Sequence, residues 1–273
     1  MAHGRERLDR LLVERGLARS RERAQALILA GVVRVDGRPG AKPGTLVRRE
    51  AALSVAAPDH PYVGRGGVKL AGALEAFGID PAGRVALDIG ASTGGFTDCL
   101  LRRGAEKVYS LDVGAGQLDW SIRRDPRVVV LEGRNARHLK PGDLPEKAGI
   151  AVVDVSFISL RLILPPLLPL LEPGAPALVL VKPQFEVGRR DVGPGGIVRE
   201  PRLHLEALAR VGEAASVAGF GVRAACASPL SGAEGNREFF LHLVTGGEGL
   251  GAAEREALIG RIVHGTGGPA SAD

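Results

Sequence analysis

The stretch LVLVKPQFE (178–186) drives four apolar residues straight into Lys182, with Pro183 next. Such a run reads as a buried strand, so the lysine stands at its mouth, where an ammonium is poorly solvated. The chain uses 30 arginines and only 6 lysines. Arginine keeps its proton, whereas a desolvated lysine can shed one and serve as a base. Lysine at this strand end therefore raises the prospect of proton transfer. A snorkelling cation held by a carboxylate is the competing reading.

A second chemical signal is ALDIGASTGGFTD (86–98). Asp88 closes a strand, and Gly90, Gly94 and Gly95 let the backbone turn tightly and approach a ligand. Asp112, near the end of KVYSLDVG, follows Gly90 by 22 residues and is placed to hold a pair of ribose hydroxyls. Together they indicate a nucleoside site; alone, the glycines would be a plain tight turn. The spacing is not G-x-G-x-x-G, which argues against a dinucleotide oxidoreductase. Asn135, in EGRNARHL, is expected near the adenine end or as a surface cap. No metal site is expected.

The elements that must position these residues can be read from the same pattern. From Gly64 onward, apolar strands (85–90, 107–114, 128–133, 150–157 and 177–183) alternate with amphipathic helices such as PRLHLEALARVGEAASVAG. VRAACASP and REFFLHLV can complete the sheet. The expected fold class is α/β, a Rossmann-like doubly wound sheet of about seven strands whose ligands sit outside the carboxyl ends of the strands. The first, fourth and fifth strands should be neighbours, which sets Asp154 beside Lys182.

Composition supports a substantial core, with 45% hydrophobic and 25% charged residues. Two cysteines, Cys99 and Cys226, exclude a disulfide framework and suit a reducing cytoplasm. The start lacks a secretory signal, and the greasiest run, SFISLRLILPPLLPLL, is broken by Arg161 and three prolines, so no membrane span is expected. Charge is uneven. Residues 1–59 carry 12 Lys+Arg against 7 Asp+Glu, so the whole excess of +5 lies there. This segment reads as a small α+β unit. Helices form around Leu8, Leu11, Leu12 and around Ala24, Leu27, Ile28; a strand turns at Asp36-Gly37; LVRREAALSV supplies another. Its exposed cations, Arg5, Arg7, Arg10, Arg19, Arg21, Arg23 and Lys42, suit a phosphate backbone, with a solvated charged face as the alternative. The expected domains are 1–59 and 64–245, joined by a linker at 60–63, with a C-terminal helix and frayed tail over 246–273.

SRERAQALILAGVVRVDG resembles the alpha-L RNA-binding module of small-subunit ribosomal protein four and many pseudouridine synthases, which implies RNA as the partner. The 86–98 turn is similar to the first motif of S-adenosylmethionine methyltransferases. That likeness implies this cofactor, with Asp88, Gly90, Ser92, Thr93, Gly94, Gly95, Phe96, Asp112, Val113 and Asn135 around it. In order, YVGRGGVKL, LDIGASTGGFTD, VVDVSFISL, LVKPQFEVG and SPLSGAEGNREFF resemble the TlyA family of ribosomal RNA 2′-O-methyltransferases, built on an FtsJ-like domain. Gly64 departs from the serine expected before Arg65.

The resemblance implies a catalytic tetrad of Lys69, Asp154, Lys182 and Glu238. Lys182 would be the base, Asp154 would orient it, Lys69 would disfavour its charge, and Glu238 would position Lys69 or the ribose. It implies a cytidine in ribosomal RNA, within ribosomal subunits, as substrate, in the cytoplasm. The loop 184–200, rich in glycine, is read as a mobile lid, with a disordered surface loop without a role as the alternative, and Arg65, Arg189 and Arg190 as further RNA contacts. Two other readings are a catalytically idle ribosome assembly factor and a membrane-active haemolysin. The latter lacks a spanning run and a basic amphipathic stripe with aromatic anchors.

Overall fold

A computed structural model describes residues 4–18, 20–29, 31–39, 42–55, 60–232 and 234–265, without the side chains of residues 22, 23, 26 and 29. The chain divides into two compact units, Met1–Pro61 and Tyr62–Asp273.

The first unit holds β1 (Arg5–Arg7), α1 (Leu8–Glu14), α2 (Arg21–Leu29), β2 (Val33–Val35), β3 (Arg38–Pro39), β4 (Leu46–Arg48) and β5 (Leu53–Val55). Leu8, Leu12, Ala24 and Ile28 project from one face of each helix and meet Val33 in a small core. Asp36 and Gly37 both adopt positive φ, 49° and 77°, the conformation a two-residue hairpin between β2 and β3 requires. The single strand expected over LVRREAALSV is two strands. A turn at residues 49–51 sends β4 to pair with β1 and β5 to pair with β2. Arg5–Arg7, where only basic positions were read from sequence, is the strand that takes β4.

The second unit contains α3 (Gly66–Phe77), β6 (Val85–Ile89), α4 (Gly95–Arg102), β7 (Lys107–Asp112), α5 (Trp120–Arg123), β8 (Val128–Glu132), β9 (Ile150–Val153), α6 (Leu164–Leu167), β10 (Pro176–Val181), α7 (Pro183–Glu186), α8 (Pro201–Ala218), β11 (Phe220–Ala227), β12 (Phe239–Thr245) and α9 (Ala252–His264). The seven strands order as β11-β12-β10-β9-β6-β7-β8, parallel from β10 through β8, with β12 antiparallel to both β10 and β11.

Period-two alternation divides each central strand between two cores. Leu87, Ile89, Val179 and Val181 face α6, α8 and α9, whereas Ala86, Leu178 and Leu180 face α3 and α4. Each fully buried leucine contributes about 1.5–3 kcal/mol, so covering both faces is what holds the strand ends in place. α8 begins with Pro201 and ends at Gly219 in the left-handed region, φ 99°. The apolar run 156–171 folds as short helical pieces, the last two with prolines in their first turns; among the described residues no helix is long and apolar enough to cross a membrane.

The loop read as a mobile lid is fastened over its second half. Asn236, wholly buried, donates through Nδ2 to Gly196 O (2.8 Å) and accepts from the Val198 N–H (2.9 Å). The His204 ring Nε2 lies 2.9 Å from Val198 O. A backbone satisfied this way and buried at Val198 is a fixed strap there. The frayed tail expected beyond residue 265 lies outside the described residues.

Candidate active site

A cavity of about 780 Å³ opens at the carboxyl ends of β6, β7, β8 and β9. Gly90, Ser92, Asp112, Val113, Asn135 and Asp154 line it. The Asp112 carboxylate is held rigidly, with Oδ2 accepting from the Ser92 N–H (2.7 Å) and Oδ1 from the Gly114 N–H (2.8 Å). Carboxylate oxygens carry two acceptor sites each, so acceptor capacity remains for hydroxyls in the cavity. Asn135 caps a short 3-10 turn, accepting from the Arg137 N–H (3.1 Å), and lines the cavity as well.

Other expected cofactor residues stand elsewhere. Asp88 is wholly buried behind the cavity; its Oδ2 accepts from Thr97 Oγ1 (2.6 Å), which also reaches Ser110 Oγ (2.8 Å). Burial pushes its carboxyl up to about 7 despite the Thr97 hydrogen bond. Phe96 is a core side chain, its ring centroid 6.1 Å from that of Phe240. Thr93, Gly94 and Gly95 form the turn into α4, beside the cavity rather than on its wall. Gly94, at φ 94°, is the left-handed residue that lets α4 start where it does.

The four polar residues of the expected tetrad arrive from four elements. Lys182 follows β10 and precedes Pro183 of α7. Its Nζ lies 2.6 Å from Asp154 Oδ1 and donates to Ser156 Oγ at 2.9 Å. The three donors of the ammonium let Lys182 keep the ion pair with Asp154 and the hydrogen bond to Ser156 together. Lys69 leaves α3 beside the apolar positions Leu70, Ala73 and Leu74, and its Nζ donates to Glu238 Oε2 at 2.5 Å. Side-chain exposure of 10% and 3% makes this a buried pair. Burial pushes the Glu238 carboxyl up, while Lys69 most, then Lys182, pull it down and Asp154 raises it, so the two ion pairs lie within electrostatic reach of each other. Each lysine thus has its own carboxylate.

Sequence reasoning did not single out Gln117, Arg134, Arg137, Ser156 or Phe157, all on the cavity wall. Phe157 is 91% exposed with φ 64°. A bulky residue in that region is uncommon, and its only sequence signal was its place in VVDVSFISL. Burial raises the Cys99 thiol to about 11 and the Cys226 thiol to about 12, so neither is a ready nucleophile. Among the described residues, no cluster of His, Cys, Asp and Glu could hold a metal ion.

Of the expected RNA contacts, Arg5, Arg10 and Lys42 are exposed in the first unit, and Arg65, Arg189 and Arg190 in the second. Arg5 stands directly across from Arg48 in the β1–β4 pair. Arg7 and Arg21 both grip the wholly buried Asp9. Arg19 and the Arg23 side chain lie outside the described residues.

Residues 62–245 match the FtsJ-like methyltransferase family, and residues 6–53 match the S4 domain. The TlyA 16S/23S rRNA (cytidine-2′-O)-methyltransferase of Mycobacterium tuberculosis is 52% identical over 242 residues, 88% of this chain and 90% of that one. Hemolysin A of Brachyspira hyodysenteriae is 41% identical over 239 residues, 87% of this chain and 99% of its own. A hemolysin-named structure from Streptococcus thermophilus superposes with a TM-score of 0.75 at 39% identity, covering 97% of both chains. An S4 domain followed by a methyltransferase sheet, shared along nearly the full length of such relatives, places the chain in the TlyA family of FtsJ-like methyltransferases.

Proposed function

We propose that the protein transfers a methyl group from S-adenosylmethionine to the 2′-hydroxyl of a cytidine in ribosomal RNA. The observation that carries this reading is Lys182, held by Asp154 and Ser156, both of which line a nucleoside-sized cavity. The cavity fits the cofactor. Asp112 presents fixed oxygens to a ribose from one side of the cavity, and Asp154, already paired with Lys182, lines the other. When bound there, S-adenosylmethionine supplies a methyl group already activated for attack.

What the chain's own residues contribute is alignment and a place for the proton. A ribose hydroxyl is a weak nucleophile and loses its proton as its oxygen bonds to the methyl carbon. Lys182 in its amine form takes that proton at Nζ, and Asp154 stabilises the ammonium that results. Ser156, already hydrogen-bonded to Nζ, fixes the direction of the lysine. Lys69, locked onto Glu238, supplies a second cation whose position is set by a buried partner. Phe157, exposed on the cavity wall, offers a face on which a base can stack.

The basic residues Arg5, Arg7, Arg10, Arg19, Arg21, Arg23 and Lys42 of the S4 domain, with Arg65, Arg189 and Arg190, are read as backbone contacts to RNA in ribosomal subunits, in the cytoplasm. The relatives named as rRNA methyltransferases support that substrate. The test combines the protein with ribosomal subunits and methyl-labelled S-adenosylmethionine, then digests the RNA to nucleosides. Label in 2′-O-methylcytidine is expected; label on a base would overturn the reaction type.

A further inference from the structure

Two chain segments leave the adjacent strands β9 and β10 at the cavity, and contacts fasten them together along their length. At the near end, Lys182 Nζ meets Asp154 and Ser156, as described above. Next, the rings of Phe185 and Phe157 approach to 5.2 Å between centroids. Glu186 closes the series: Oε2 accepts from Ser159 Oγ at 2.6 Å and Oε1 from the Leu160 N–H at 2.8 Å. Glu186 is 3% exposed, and its backbone carbonyl accepts from Arg210 Nη1 of α8 at 3.1 Å.

A carboxylate buried that deeply is costly, and an apolar side chain would fill the same space more cheaply. What an apolar side chain cannot do is accept two directed hydrogen bonds from a loop. The loop in question, 155–159, lines the cavity throughout and carries Ser156, the hydrogen-bond partner of Lys182. Glu186 sits on the same short helix that Lys182 begins, so fixing one end of α7 to the loop fixes the other. Its carboxyl is raised by burial and drawn back by Ser159 and Leu160, as expected of a group held by those donors.

We infer that Glu186 is a positioning residue for methyl transfer, anchoring the 155–160 loop to α7 so that Ser156 meets the lysine and Phe157 stays against Phe185. The inference rests on the methyltransferase reading above. It gives a role to a position in LVKPQFEVG that neither contacts the cavity nor belongs to the tetrad.

The test uses the full-length protein with ribosomal subunits and measures kcat, the KM for RNA and the melting temperature. Glu186→Ala should lower kcat by about a hundredfold, as expected when a reacting group is misplaced by an ångström, with a smaller change in KM. Glu186→Gln can still accept from Leu160 and donate to Ser159, and should recover most of kcat. Ser159→Ala removes one of the two donors that hold Glu186 while the Leu160 N–H remains, and should depress kcat less than Glu186→Ala does, again with a smaller change in KM. A kcat unchanged in both alanine variants, with Lys182→Ala inactive beside them, overturns the role of Glu186 and leaves the methyltransferase reading standing. A Gln variant as slow as the Ala variant would also overturn it. An unmodified RNA with the unaltered protein would instead defeat the reading beneath.

Discussion

Gly90 packs so closely on Asp154 that a β-carbon built on the glycine would fall 2.2 Å from the aspartate's carbonyl oxygen. The Asp154 N–H donates to Ile89 O at 2.8 Å, so the two strand ends are knitted together at the point where the cavity begins. Gly90 also holds φ 87°, where a side chain is strained. Gly90→Ala should therefore lower the free energy of unfolding by about 2–5 kcal/mol, combining left-handed strain with overpacking. It should weaken S-adenosylmethionine binding too, because Asp154 must move. Denaturant titration and calorimetry check both; wild-type values for each would show that the close approach is of no consequence.

Lys182→Ala should leave cofactor affinity close to normal while reducing methyl transfer by about 10²–10⁴-fold, the usual worth of a general base. Lys182→Arg is the sharper variant, since it keeps the cation and the ion pair with Asp154 but cannot give up a proton. Single-turnover assays with saturating cofactor make the comparison. Recovery of rate by arginine would mean that Lys182 acts through charge and position alone.

Glu238→Ala leaves Lys69 Nζ buried without its carboxylate, and such uncompensated charges cost about 3–5 kcal/mol. Replacing both partners, as Lys69→Met with Glu238→Leu, should restore most of that stability because no charge is left stranded. Activity should stay lost in the double variant. Thermal unfolding and turnover measured on the same samples separate the structural role of the pair from its role at the site; a stable and active double variant would remove it from the site.

The sheet was legible because β10 and its neighbours are continuous apolar runs whose alternate residues serve two cores. The pairing of Lys69 with Glu238 was not, since 169 residues separate them and no local pattern records a contact at that range. The likeness of whole motifs to a family brought the two residues to one site, but left Glu238 against either Lys69 or the ribose. Phe96 and Phe157 show the limit from both sides. One was expected on the cavity and lies in the core; the other passes in sequence for a core residue and is exposed. The backbone turn that accompanies the exposed ring of Phe157, φ 64°, leaves no mark in composition. The glycines of 184–200 suggested mobility, but the fastening comes from Asn236 and His204, distant in sequence.

Asp88 sets a pH dependence with a definite sign. Its carboxyl is raised from 3.8 to about 7 by burial, so between those values the folded protein holds a proton that the unfolded chain has lost. Stability contributed by this group is greatest below the lower value, declines as pH rises through the window and is flat above it. Asp88→Asn cannot titrate, so its stability relative to the unaltered protein should improve steadily across the same window. Urea unfolding at both ends of the window reads this out; parallel curves for the two proteins would show that Asp88 stays charged in the fold.

Asp9 makes the arginine surface of the first unit more than a count of charges. Wholly buried, it accepts from Arg7 Nε (2.9 Å) and Nη2 (2.8 Å), from Arg21 Nε (3.1 Å) and from Gln25 Nε2 (3.0 Å). The hydrogen bond from Arg7 leads in holding its carboxyl far below the usual range, so it stays ionised and keeps two guanidinium groups side by side. Arg7→Ala should weaken RNA binding and reduce the slope of log affinity against log salt by about 0.7–0.9, the value of one phosphate contact. Asp9→Asn leaves both arginines in the chain but loosens their grip, so affinity should fall with a smaller change in slope. If Arg7→Ala left the salt slope untouched, Arg7 would belong to the fold of the unit and not to its contact with RNA.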